Sequence, residues 1–188
     1  DVFQLNQIRQ TLTDVFGKDS TADRGLAPWD QRKLVHIFSA VEVACMDIIG
    51  KVTGRPIVDL LGGKMRDRVP FSAYLFYKYE GAGGTLGFNT DANAKGWAAA
   101  RQAEALDARG IVKQAKAMCE AYGFKSIKLK GGVFPPEQEV EAMYALREAF
   151  PDTPLRLDPN AIWTLETSIT WEKKLEGVLE YYEDPVRG

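Results

Sequence analysis

Two lysines, Lys128 and Lys130, sit two positions apart in the stretch KSIKLKGG, and two acids follow, Asp158 in LRLDPN and Glu183 in YYEDP. The three segments recur at intervals of about 25 to 30 residues, the repeat of strand–helix units. Each charged residue closes a short apolar run and precedes a glycine or proline turn. Taken singly, these signals have ordinary readings: a lysine pair on a wet strand face, or a turn aspartate accepting a backbone N–H. The joint order of basic, acidic and acidic groups at consecutive strand ends is what points to chemistry.

Alternation puts Ile127 and Leu129 on one face of a strand and both lysines on the other. In a parallel sheet the apolar face is covered by helices. The lysine face then looks into a barrel interior or toward a second helix layer, at the carboxyl end of the strand, where barrel enzymes keep their chemistry. Adjacent strands lie about 4.8 Å apart, so Lys130, Asp158 and Glu183 are expected to converge on one small volume. One detail resists simple alternation. On the parity that sends Glu183 inward, Glu180 faces the helices, and a bulge or an early strand end in VLEYY would reconcile the two.

Carboxylates from neighbouring strands suit a hard divalent cation, and Mg2+ is the expected one. A lysine facing that cation is no ligand, because an ammonium would repel it. Proton transfer suits it better. A second lysine at i−2 and a nearby cation both disfavour the charged form of Lys130, which predicts a lowered pKa. A metal that stabilises negative charge, beside an amine base, is the apparatus for removing a proton α to a carboxylate.

The elements that must position these groups follow from periodicity. Leu34, Phe38, Val41, Cys45 and Ile48 form one stripe of an amphipathic helix, ended by Gly50 or Gly54, and IVDLLGG reads as a short helical turn. FSAYLFY is aromatic-rich and short, hence a strand, and a polar loop, roughly GAGGTLGFNTDANAKGW, follows it. Ile111, Ala115, Met118 and Tyr122 mark a helix closed by Gly123, before the strand SIKLK. Pro136 opens a helix to about Phe150, before the strand LRLD. Thr164 caps a helix to about Glu176, closed by Gly177, before the strand VLEYY. The expected fold class is α/β: a partial (β/α)8-type barrel, first strands only, over residues 69–188, preceded by a mostly helical segment over 1–68.

Composition bounds the partners. Lys plus Arg number 24 against 26 Asp plus Glu, so neither nucleic acid nor an anionic membrane is an expected partner. No apolar run approaches a membrane span, and the first residues lack the order of a signal peptide. Cys45 and Cys119 belong to no CxxC or Cys/His cluster and read as reduced core thiols of a cytoplasmic protein. GAGGTLG fails the dinucleotide fingerprint, since Leu86 stands where its third glycine should be. A start at Asp1 and an end just after an apolar run suggest part of a longer protein.

KLKGG, LDPN and YYEDP, together with SAVEVACMDIIGKVTGRPIVDLLGG upstream, resemble the enolase superfamily, and within it the glucarate dehydratase group. The resemblance implies that residues 1–68 are the C-terminal part of an α+β capping domain and that 69–188 begin a modified barrel. It implies Mg2+-dependent dehydration of a small-molecule acid sugar by a homo-oligomer. Carried over by position, Lys130 is the base and Lys128 its electrostatic partner near the substrate carboxylate. Asp158 and Glu183 are metal ligands, Asn160 hydrogen-bonds the substrate, and Tyr74 contacts it from the side. The plain alternative for Tyr74 and Phe76 is barrel-core packing. A third metal ligand and a His–Asp dyad would lie beyond Gly188, so the 188-residue chain alone is expected to be inactive. Lys33, in RKLVH, stands where that group carries hydroxyl residues, a departure bearing on substrate preference, and His36 reads as structural. Two other functions use the same residues: a Schiff-base aldolase on the barrel lysine, and a non-catalytic acid-sugar-binding paralogue.

Overall fold

A computed structural model describes residues 1–16, 33–82 and 91–186. The chain divides into two compact units, Asp1–Val69 and Pro70–Gly188.

The first unit holds α1 (Leu5–Phe16), α2 (Lys33–Thr53) and α3 (Ile57–Leu60). Of the α2 stripe, Cys45 is buried and Leu34, Phe38 and Val41 are half-buried, whereas Ile48 is exposed and Ile49 turns inward instead. The helix runs through Gly50 and stops at Thr53, so Gly54 marks its end. The Arg9 guanidinium of α1 lies 5.5 Å from the centre of the Phe38 ring. Lys33 opens α2, but its side chain lies outside the described residues, and His36 is exposed.

The second unit is a four-stranded, all-parallel sheet in the order β1 (Ala73–Phe76), β2 (Ile127–Lys130), β3 (Leu155–Asp158), β4 (Tyr181–Tyr182). Between the strands run α4 (Gly96–Ala100), α5 (Ala108–Tyr122), α6 (Pro136–Ala149) and α7 (Leu165–Lys174). Parallel strands need crossovers, and α5, α6 and α7 supply them. Asp107 caps α5 by accepting the Gly110 N–H at 2.7 Å, and Thr164 caps α7 by accepting the Thr167 N–H at 3.1 Å. Pro136 opens α6, where a missing N–H is harmless.

The sheet has two unlike faces. Ala73, Leu75, Ile127, Leu129, Leu155 and Leu157 are fully buried against Ile111 and Ala115 of α5 and Val140, Met143 and Leu146 of α6. The opposite face carries Tyr74, Phe76, Lys128, Lys130, Arg156 and Asp158, the alternate positions of the same strands. A core of this kind leaves one face free for polar work.

Three boundaries differ from the sequence expectation. The expected strand VLEYY shrinks to Tyr181–Tyr182, because Val178 and Leu179 pack on the core from the turn that follows α7. The α7 helix stops at Lys174, short of Glu176. The polar stretch after β1 contains the start of α4 rather than loop alone; its residues 83–90, with most of GAGGTLG, lie outside the described residues. Among the described residues no helix is long and apolar enough to cross a membrane.

Candidate active site

The charged residues singled out in the sequence sit at the carboxyl ends of β2, β3 and β4. Lys130 is the register partner of Asp158, and its Nζ lies 2.8 Å from Asp158 Oδ2. Lys128 Nζ lies 3.1 Å from the same oxygen and 2.6 Å from Glu183 Oε1. The side chains of Asp158 and Lys128 are only 5% and 15% exposed, and that of Glu183 is 35% exposed. The amines and both carboxylates therefore form one charged cluster at the strand ends.

The two flanking residues join it differently. Tyr74, in register with Lys128, places its ring centre 5.1 Å from Lys128 Nζ and packs against Phe76 with ring centres 4.6 Å apart. Both aromatic rings are partly exposed on the lysine face, not buried between sheet and helices. Gln114 of α5 fixes the end of their strand, its amide donating to the Phe76 carbonyl at 3.0 Å. Asn160 touches the cluster through its backbone: its N–H donates to Asp158 Oδ1 at 3.0 Å, from a positive φ of 62°.

A bulge resolves the parity of the fourth strand. The Glu180 N–H donates to the Leu155 carbonyl at 2.7 Å, and the Glu183 N–H to the Leu157 carbonyl at 3.0 Å. Three steps from Glu180 to Glu183 thus match two from Leu155 to Leu157, the count of one extra residue. Glu180 and Glu183 consequently share a face. Glu180 accepts from Arg156 Nε at 2.6 Å while Glu183 meets Lys128.

The strand-end loops are tied to one another. The Gly131 N–H donates to the Asp158 carbonyl at 2.8 Å, and the Ala161 and Trp163 N–H groups donate to the carbonyls of Asp184 and Pro185 at 2.6 and 3.1 Å. Neither glycine of KLKGG can take a Cβ without a shift of its neighbours. A Cβ on Gly131 would lie 2.5 Å from Glu139 Oε2, and one on Gly132, at φ 76°, would collide with the Pro159 carbonyl.

Burial disfavours the charge on Lys128, yet the hydrogen bonds its ammonium makes to Glu183 and Asp158 prevail, and its pKa rises above the ordinary lysine value. Burial likewise favours protonated Asp158, but hydrogen bonds from Lys130 and Lys128 hold its carboxyl below the usual range. At neutral pH the cluster holds Lys128 as ammonium and Asp158 as carboxylate.

The donor set fits a hard cation. Asp158 and Glu183 offer oxygen only, and both already reach one positive point, Lys128 Nζ, so they can address a common ion. Among the described residues no three His, Cys, Asp or Glu side chains group as a complete metal site. Mg2+ is commonly held by one or two carboxylates with water and substrate, which two acids satisfy. Asp158 Oδ2 accepts from both lysines, so a metal there must compete with them.

Two features around the cluster carry little trace in the sequence. Arg156 shares the parity of Asp158 in LRLD, a slight signal, and it closes the inner face with Glu180. Glu139 sits fully buried behind the glycine pair, and its only sequence trace is an acid in the opening turns of a helix that follows two prolines.

Residues 110–188 match the family model described as enolase C-terminal domain-like. Over 175 residues, 93% of this chain, the sequence is 49% identical to a probable glucarate dehydratase from Streptomyces coelicolor, 38% of which is covered. The structure superimposes on an enolase from Mycobacterium smegmatis complexed with tartrate, with a TM-score of 0.74 and 49% identity, covering 100% of this chain and 41% of that one. The chain belongs to the enolase superfamily. An enolase from Pseudomonas fluorescens with bound magnesium, potassium and tartrate matches at a TM-score of 0.77 and 44% identity, over 100% of this chain and 43% of that one. The four-stranded sheet is accordingly a partial (β/α)8-type barrel of this superfamily. The chain spans 38% of the length of the Streptomyces relative.

Proposed function

We propose that the complete protein is a Mg2+-dependent dehydratase of acid sugars of the glucarate type. The observation carrying this reading is the meeting of Lys130, Asp158, Lys128 and Glu183 at three consecutive strand ends. Identity to a probable glucarate dehydratase supports the substrate class, and magnesium with tartrate, a small dicarboxylate, in a structural relative supports the metal.

In this reading Lys130, in its neutral form, takes the proton next to the substrate carboxylate, and the electron pair moves toward that carboxylate. Lys128 stays an ammonium and offsets the charge that builds there. Asp158 and Glu183 hold the Mg2+, which supplies further stabilisation of that charge when bound. Asn160 and Tyr74 orient the substrate from the ends of β3 and β1. Loss of the β-hydroxyl then gives the keto-deoxy acid, with the second acid/base and a third metal ligand coming from outside this chain. Residues 1–68 fit the role of a capping-domain segment. Cys45 and Cys119, both free thiols, suit a reducing cytoplasm.

Incubating the complete protein with Mg2+ and a panel of aldaric and aldonic acids, with keto-acid formation as readout, tests the reading. Product that depends on Mg2+ and vanishes with EDTA supports it. Product trapped on the protein by borohydride, with turnover indifferent to EDTA, would instead establish the Schiff-base aldolase.

A further inference from the structure

The peptide that leaves β2 is held more firmly than a loop needs to be. After Lys130, four successive N–H groups all have acceptors. That of Gly131 goes to the Asp158 carbonyl at 2.8 Å. The next three go to a single side chain: Gly132 to Glu139 Oε2 at 3.0 Å, and Val133 and Phe134 to Glu139 Oε1 at 2.9 and 3.0 Å. Glu139 is on α6 and fully buried. A carboxyl group without solvent is costly unless its oxygens are satisfied, and here both are. A carboxylate is also the side chain best matched to the task, since both its oxygens only accept. A glutamine would turn an NH2 toward one of the three donors.

We infer that Glu139 is a positioning residue for the reaction: its carboxylate clamps the amides of residues 132–134 and so fixes the end of β2, holding Lys130 where it meets Asp158. The role rests on reading Lys130 as the base. The clamp works through the backbone, because Glu139 is bonded to the peptide immediately after the strand and not to Lys130 itself. The same contact explains Gly131, whose hydrogen faces Glu139 Oε2 at a distance no Cβ could occupy without displacement. The carboxylate and the missing side chain form one fitted joint, made by α6 on one side and KLKGG on the other. A lysine Nζ displaced by about 1 Å from a productive geometry loses on the order of 10²-fold in rate.

The test uses the complete protein with its acid-sugar substrate and Mg2+. Glu139→Gln should lower kcat by about 10- to 100-fold with KM within about two-fold of wild type, the split expected of a misplaced base rather than a lost binding contact. Amide exchange at residues 132–134 should accelerate, with protection in α5 and β3 retained. Gly131→Ala, which disturbs the joint from the loop side, should give the same split, and it covers the case in which Glu139→Gln does not fold. Wild-type kcat in Glu139→Gln while Lys130→Ala is inactive would overturn the role of Glu139 alone. Turnover by Lys130→Ala would overturn the base and this role together. Unchanged exchange at 132–134 in Glu139→Gln, or loss of protection throughout the unit in both variants, would also overturn it, whatever the substrate.

Discussion

Lys128 on β2 reaches past Asp158 on the intervening strand to meet Glu183 beyond β4, with its Nζ 2.6 Å from Glu183 Oε1. A single ammonium thereby spans three strands and sits between two carboxylates that would otherwise repel. Removing it should have effects on both stability and catalysis.

Lys128→Met keeps most of the apolar stem and removes the charge. It leaves Asp158, nearly buried, beside Glu183 with one donor fewer. The expected loss is about 1–3 kcal/mol in denaturant unfolding of metal-free protein, smaller than for a fully buried pair because Glu183 is partly exposed. Mg2+, added back, should recover part of that loss.

Lys130→Ala should abolish keto-acid formation, by about 10² to 10⁴-fold in kcat, with Mg2+ binding retained in titration calorimetry. Retained turnover would remove Lys130 from the chemistry.

The pH dependence of metal-free stability has two limbs with a definite sign. Asp158 titrates lower in the folded state than its unfolded value near 3.9. Its contribution is therefore complete above about pH 3.9 and is lost as pH falls through the lower folded pKa. Lys128 titrates higher than its unfolded value near 10.4. Its contribution is complete below about pH 10.4 and is lost as pH rises through the higher folded pKa. Denaturant midpoints measured in EDTA should show both limbs. Asp158→Asn should flatten the acid one.

Arg156 and Glu180 make an ion pair of the same length, 2.6 Å, but the Glu180 side chain is 44% exposed. Solvent screening then dominates. Glu180→Gln should shift stability by less than about 1 kcal/mol in the same denaturant assay and leave kcat unchanged.

The parts of this architecture written in local periodicity were legible beforehand. Alternation in SIKLK and LRLD, the caps at Gly123 and Thr164, and Pro136 at the head of α6 each depend on residues within a few positions of one another. The pairing of Lys130 with Asp158 was legible for the same reason, once consecutive strands were taken as neighbours. The bulge between Glu180 and Glu183 was signalled only as a conflict of parity, since its location depends on which carbonyls β3 presents. Glu139 was not legible at all. Its partners are backbone amides, which every residue has, and only the fold of the KLKGG loop turns three of them toward it. The short β4 follows from Val178 and Leu179 finding the core from a turn, a tertiary preference that strand propensity cannot register.

The ammonium lodged between Asp158 and Glu183 has a consequence for how the two acids tolerate one another. Neighbouring carboxylates repel unless a positive charge lies between them. Here the chain supplies that charge itself. On the reading proposed above, an arriving Mg2+ would replace a resident cation rather than fill a gap, and occupancy of the site would be an exchange.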